Sequence, residues 1–209
     1  RWGILVGGRR DKHNLIDGLI FSPRANLRFN PTENLNLRAS YSYGFRAPQA
    51  FDEDLHIDNV GGTVSMIRLA EDLRVEKSQS VSVSADIYHS WGYWQANVLA
   101  EGFFTDLDDV FALRELGFNE EGILSKERHN ESGARVFGGN LEGKIAWKNT
   151  LQVQAGLTLQ NSKYKEARSW GDGVEATTRM FRTPDVHGYF TASYNPLAQL
   201  ALSLTGTYT

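Results

Sequence analysis

Apolar and polar residues alternate one for one in run after run of this chain, and the links between the runs are by turns short and long. A period of two puts successive side chains on opposite faces of an extended strand, so the pattern dictates β-structure with one apolar and one polar face. In the clearest run, Leu151, Val153, Ala155, Leu157 and Leu159 interleave with Gln152, Gln154, Gly156 and Thr158. Comparable runs occupy 35–45, 81–87 and 200–208, with weaker ones near 2–9, 23–29, 94–104, 134–147 and 185–194. That makes about nine strands, and no segment carries the period of a long helix.

The links set the architecture. Four are tight, at 30–34, 90–93, 148–149 and 195–198, and each holds the Asn, Gly or Pro of a hairpin turn. Four are long and polar, near 10–20, 46–74, 106–132 and 168–183. Strict alternation of the two kinds predicts an antiparallel up-and-down transmembrane β-barrel with short turns at one end and long loops at the other. Aromatic placement agrees. Phe29, Trp94, Trp147 and Tyr194 sit near tight turns, whereas Tyr41, Tyr43 and Phe45 sit towards a long loop, which describes two interfacial girdles around a lipid band. The polar face then lines a lumen through Asn36, Arg38, Asn140, Glu142, Lys144, Gln152 and Gln154. Burying that set dry costs on the order of several kcal/mol, so the face is wet or covered by polar groups. On the residues alone, a soluble sandwich with an aromatic core stays open as the alternative.

Composition is uninformative about membranes in an instructive way. Charged residues are 22% of the chain and mean hydropathy is −0.40. No apolar run reaches the roughly 18 residues that a transmembrane helix needs. Barrel strands alternate lipid-facing and lumen-facing residues, so a low average does not argue against them. A net charge of −3 speaks against a nucleic-acid binder, and the absence of cysteine excludes disulfides and thiolate metal sites. The chain opens on Arg1 without a signal-peptide pattern and closes at Thr209 inside an alternating run. The expectation is a fragment, with residues 1–209 forming part of one β-barrel domain. The usual enzyme signatures (G-x-S-x-G, H-E-x-x-H, Walker A, G-x-G-x-x-G after a strand) do not occur, and no enzymatic role is expected.

Several motifs fall in order along residues 35–145. Tyr43-Gly44-Phe45-Arg46-Ala47-Pro48, followed by the acidic stretch to His56, resembles the "FRAP" box of TonB-dependent outer-membrane receptors of Gram-negative bacteria. Leu73-Arg74-Val75-Glu76-Lys77-Ser78 resembles that family's "L-K-P-E-x-S" lead-in to the next strand, with Val75 in place of the usual proline. The aromatic-rich run Phe103 to Phe111, with an Asp-rich turn, and Gly138-Gly139-Asn140-Leu141-Glu142, like "G-x-E-x-E", complete the set. The resemblance implies a barrel of about 22 strands closed by an N-terminal plug, with plug and final strands lying outside this chain. It also implies outer-membrane lipid, TonB (through the missing N-terminal part) and a scarce nutrient such as an iron–siderophore, haem or cobalamin as partners. A passive porin-like channel is the runner-up.

Three residues are candidates for substrate contact: Arg46, Gln49 and His56. Arg46 and Pro48 also have a structural reading, in which Pro48 stops the strand and Arg46 pairs with a nearby carboxylate or lipid headgroup. In the haem-receptor branch a histidine lies between the "FRAP" box and an "N-P-N-L" box. His56 occupies that interval, although the second box is reduced here to Ala70-Glu71-Asp72-Leu73. A neutral imidazole is a suitable axial ligand for haem iron. His13 and His129 are expected in long loops as weaker candidates. Asp106, Asp108 and Asp109 offer hard oxygen ligands for calcium, but the full ligand loop is lacking and a solvated turn is the expectation; no metal or resident cofactor is predicted.

Overall fold

The computed structural model describes residues 1–13, 18–48, 65–120, 122–169, 173–181, 183–197 and 199–209. Among these the regular structure is entirely strand: β1 (Trp2–Asp11), β2 (Ile20–Phe29), β3 (Leu35–Arg46), β4 (Ser65–Leu69), β5 (Glu76–Trp91), β6 (Trp94–Phe118), β7 (Leu124–Trp147), β8 (Leu151–Arg168), β9 (Thr177–Arg179), β10 (Val186–Leu197) and β11 (Leu200–Tyr208). Nine of them form one antiparallel meander in the order β1-β2-β3-β5-β6-β7-β8-β10-β11. β4 pairs with β7 and β9 with β8, off the main path. The sheet is not closed, because β1 and β11 end it without pairing with each other. This is the architecture of a barrel segment, and its nine wall strands are the nine legible in the sequence.

Register carries the alternation from strand to strand. Ile4 stands opposite Leu27, Leu27 opposite Ala39, and Ala39 opposite Val83. The row continues through Gly102, Gly139 and Leu159 to Val186. A slip of one residue anywhere would send a strand's apolar set to the other face, so nine strands in phase build a single unbroken apolar face. That face is open to its surroundings. Val6 is 76% exposed, Val83 59% and Leu204 63%, while Ala134 is the one buried hydrophobic residue among the described residues. A water-soluble monomer rarely presents such a surface. The sheet has no core of its own and needs an apolar medium against this face.

Aromatic rows bound the apolar face. At the tight-turn end Trp91, Trp94 and Trp147 follow one another at centroid spacings of 6.3 Å, and Trp2 stacks on Phe29 at 4.0 Å. At the other end Tyr41 and Val81 lead into Phe104 and Phe137. From Trp94 to Phe104 is ten steps of about 3.3 Å, which a strand tilt of about 40° projects to about 25 Å, the height of a lipid-facing barrel band.

The long-loop end departs from expectation. Residues 106–132 were expected to be a loop, but most of them continue β6 and β7 as a paired hairpin reaching Phe118 opposite Leu124. Two further short strands lie inside the intervals 46–74 and 168–183.

Candidate functional site

The site is the long-loop mouth and the polar wall beneath it. β5 accompanies β6 only as far as Lys77 opposite Asp108, and β8 accompanies β7 only as far as Tyr164 opposite Ala134. Beyond that level β6 and β7 rise together for about ten more residues, roughly 30 Å of extended chain. Residues 65–74, the described part of the chain leading into β5, cross this hairpin. β4 adds to β7 in parallel, Ser65 to Leu69 against Leu124 to Arg128, and the Ala70 N–H then donates to the Arg128 carbonyl at 2.9 Å.

A side-chain amide clamps the returning chain. Asn130 Oδ1 accepts from the Arg74 N–H at 2.6 Å, while its Nδ2 donates to the Arg74 carbonyl at 2.9 Å and to the Asp109 carbonyl at 2.6 Å. One amide thus satisfies backbone groups that a neighbouring strand would otherwise take. Ion pairs reinforce the crossing: Arg74 to Asp109 at 2.9 Å, Lys77 to Asp109 at 3.4 Å, and Arg68 to Glu127 at 3.4 Å. Glu127 is buried and also receives Arg114 through two guanidinium nitrogens. A buried carboxylate persists only when paired, and here two arginines from different segments hold it.

Arg46 is the last residue of β3 and stands in register with Glu76, its guanidinium 3.8 Å from the carboxylate. The same group lies over the Phe111 ring at 5.7 Å from the centroid, so Arg46 ties β3 to β5 and to the rising hairpin. The "FRAP"-like and "L-K-P-E-x-S"-like segments therefore meet in space. Pro48 is buried two residues after the strand stops. Gln49 and His56 lie outside the described residues. His13 follows β1, whereas His129 is in β7 rather than in a loop, 3.6 Å from Glu131.

The three aspartates are a correction. They sit in strand β6, not in a solvated turn. Lys165 lies 2.8 Å from Asp106 and also bonds Asp108; Arg135 reaches Asp106 at 3.4 Å, and Asp109 takes Arg74 and Lys77. These carboxylates answer cations of β5, β7, β8 and the crossing strap, just beyond the apolar band. Burial pushes the Asp106 carboxyl up, but the hydrogen bond and charge of Lys165, with Arg135 behind them, outweigh burial and hold it below its ordinary 3.8. Burial likewise pulls Lys165 down, and its bonds to Asp106 and Asp108 outweigh that to hold it above 10.5.

The signs fix a pH window. A depressed Asp106 stabilises the fold above pH 3.8 and loses that contribution as pH falls through its lower folded value. A raised Lys165 stabilises it below pH 10.5 and loses that contribution as pH rises through its higher folded value. Amide exchange protection of β6 to β8 beyond the band is expected to stay level between these limits and to decline on acidification below 3.8. In Asp106→Asn that acid decline should be smaller; an identical decline would remove Asp106 from the account.

The inner wall is a hydrogen-bonded polar lattice. Asn140 donates to Glu101 at 3.0 Å and accepts from Thr158 at 2.8 Å, while Glu142 accepts from Gln154 at 3.1 Å and from the Tyr189 hydroxyl. Glu101, Asn140, Glu142, Thr158 and Tyr189, with Leu99 and His187, line an open concavity of about 530 Å³ on the polar face. Sequence reading placed Asn140, Glu142 and Gln154 on this face, and there they are. It missed the hairpin clamp, because the pairing of Asn130 with Arg74 spans 56 residues and has no periodic signature.

Comparison with known proteins places the fold. A sequence model for the family described as "TonB dependent receptor-like, beta-barrel" matches residues 1–209. No curated protein matches the chain. The siderophore receptor PirA of Pseudomonas aeruginosa superposes with a TM-score of 0.68 at 18% identity, over 99% of this chain and 37% of that one. The Serratia marcescens hemophore receptor HasR, solved with its hemophore HasA and heme, gives 0.65 at 14% identity, over 98% and 38%. The alcaligin outer-membrane receptor FauA of Bordetella pertussis gives 0.59 at 18%, over 99% and 34%. The chain thus spans little more than a third of the length of these solved proteins.

Proposed function

This chain belongs to the TonB-dependent receptor β-barrel family, and we propose that it is the wall segment of an energy-coupled outer-membrane receptor that imports a scarce nutrient complex. The observation that carries the reading is the family match across all 209 residues. The band of about 25 Å and the polar inner wall support a membrane-spanning role with an aqueous interior. Solved relatives described as siderophore receptors and as a hemophore receptor with heme support a metal complex as cargo. The mouth supports a capture role: a hairpin, a crossing strap and Arg46 converge on one rim. Arg46, Gln49 and His56 are the residues of this chain proposed to meet the substrate.

The test uses the full-length receptor in a host that lacks its own. Uptake of radioactive iron, offered as ferric siderophores or as haem, is expected to saturate and to stop when TonB is deleted or the proton gradient is collapsed. Uptake that rises linearly with concentration and ignores both treatments identifies a passive channel instead. Haem titration of the purified receptor then assigns the cargo. A saturable Soret shift lost in His56→Ala makes His56 the iron ligand, and no shift in the native protein turns the search to siderophores or corrinoids.

A further inference from the structure

Above the lipid band the outward face of the wall turns from apolar to cationic. Phe104, Phe137 and Asn161 stand in one cross-strand row. One pleat further on, Arg135 of β7 stands opposite Lys163 of β8, which stands opposite Arg179 of β9. Period two fixes their direction. Arg135 is two residues from Phe137, and Lys163 is four from Leu159, so both continue the lipid-facing set. Directly paired residues share a face, which puts Arg179 with them. Three cations thus lie side by side across two strand spacings, about 10 Å, and about 7 Å beyond the aromatic row.

Like charges in direct register oppose sheet pairing, and the neighbouring acids relieve only part of this. Lys165, with 17% of its side chain exposed, takes Asp106 at 2.8 Å and also Asp108. Arg135 reaches Asp106 through Nε at 3.4 Å, and Arg179 reaches Asp185 through one terminal nitrogen at 3.2 Å. Lys163 has no carboxylate in ion-pair range among the described residues. The side chains of Arg135 and Arg179 remain 59% and 66% exposed, and Lys163 is exposed as well. The acids therefore order the row without covering it. This face is the outside of the wall, and a plug in the lumen would lie behind the sheet. The strands that flank Arg135 and Lys163, β6 on one side and β9 on the other, both belong to this chain.

We propose that Arg135, Lys163 and Arg179 bind the phosphorylated headgroup of an outer-leaflet lipid, held against the outside of β7 to β9 with its acyl chains along the apolar face below. This rests on the membrane placement in the receptor reading above. Long loops mark the outer side of such a barrel, so the row lies at the headgroup level of the outer leaflet. Depth selects a lipid over a soluble anion. Phe137 and Leu159, both exposed directly beneath the row, offer the surface for acyl chains, and long cationic side chains at this level hold their heads in the polar layer. Charge selects phosphate over a zwitterion. A guanidinium meets phosphate oxygens through paired N–H groups and Lys163 adds a point charge, while a bound polyanion relieves the repulsion within the row.

The test is titration of the full-length receptor in neutral detergent with bisphosphorylated lipid A, the bound copies counted by native mass spectrometry. The native protein is expected to bind it saturably, and Arg135→Gln/Lys163→Gln to bind about tenfold more weakly or worse. Lys163→Gln alone removes a charge without breaking an ion pair, so it should fold as native and still bind at least about threefold more weakly. Lys148→Gln is the matched control, a single cation over Tyr93 and Trp147 at the tight-turn end, and should retain native affinity. Heat-dependent gel migration checks that each variant is folded. Absence of saturable binding in the native protein, equal binding of lipid A stripped of its phosphates, native affinity in folded Lys163→Gln, or an equal loss in Lys148→Gln would each overturn the proposal. Inorganic pyrophosphate should not displace the lipid at equal concentration; displacement would reassign the cations to a free anion and overturn it too. Iron import tests the receptor reading separately: import without lipid A binding removes only the lipid site, and lipid binding without import removes only the transport reading.

Discussion

Val83→Arg is expected to destabilise the folded full-length receptor by about 2–4 kcal/mol, whereas Ser82→Arg, one residue away, should cost less than about 1 kcal/mol. Val83 sits mid-band between Ala39 and Gly102 with 59% of its surface uncovered. An arginine there must take its charge into hydrocarbon or distort the lipid to reach water. Ser82 points to the other face, where its hydroxyl lies 2.9 Å from that of Ser40. An arginine there gives up one hydroxyl contact and gains a wet, polar surface. Urea titration in lipid vesicles, followed by tryptophan fluorescence and gel migration, measures both. Equal cost at the two positions would mean that the apolar face does not contact lipid, and the soluble-sandwich alternative would return.

The same two-sidedness explains what was legible in the sequence. Within the band one face is apolar and the other polar, so the alternation of Val81, Val83, Ala85 and Ile87 against serines and Asp86 reveals a strand directly. Beyond the Phe104 row both faces meet water or charged partners. Asp106, Asp108, Arg135, Lys163 and Lys165 then occupy positions that lower down hold leucine and valine. The contrast that marks a strand disappears there although the backbone continues unchanged, which is why 106–132 reads as a loop and folds as a hairpin. β4 is invisible for a different reason. It has five residues, and its partner β7 is parallel and distant in sequence, so neither turn chemistry nor periodicity announces it. Of the site, Arg46 stood out through its motif, but its partners Glu76 and Phe111 come from other strands and emerge only when register is set.

Gly133→Val should cost about 3–5 kcal/mol and release the rising hairpin while leaving the band intact. Gly133 stands opposite Asp108 at the level where β6 and β7 part from their neighbours. Its φ of +117° lies in a region that side chains rarely enter, and an added Cβ would sit 1.9 Å from the Leu107 carbonyl oxygen. Asp109, the next residue of β6 beyond Asp108, also has positive φ, at 55°. The two positive-φ residues lie where the hairpin leaves the wall, beside the Asn130 and Asp109 contacts to Arg74 of the crossing strap. Valine cannot adopt this backbone, so the pair with Asp108 must open and the Asn130 clamp must move. Gly143→Val is the matched control, because a Cβ at Gly143 meets nothing within 4 Å and the position lies inside the band. Amide exchange should rise steeply across 110–131 in the first variant and stay at native levels across 94–104 in both. Unchanged exchange at 110–131 would show that the positive-φ backbone at Gly133 is not required. If exchange rises as expected, substrate affinity becomes the decisive second reading. A mouth that works by holding hairpin and strap together must then bind its cargo more weakly, even though every residue proposed to touch that cargo is still present.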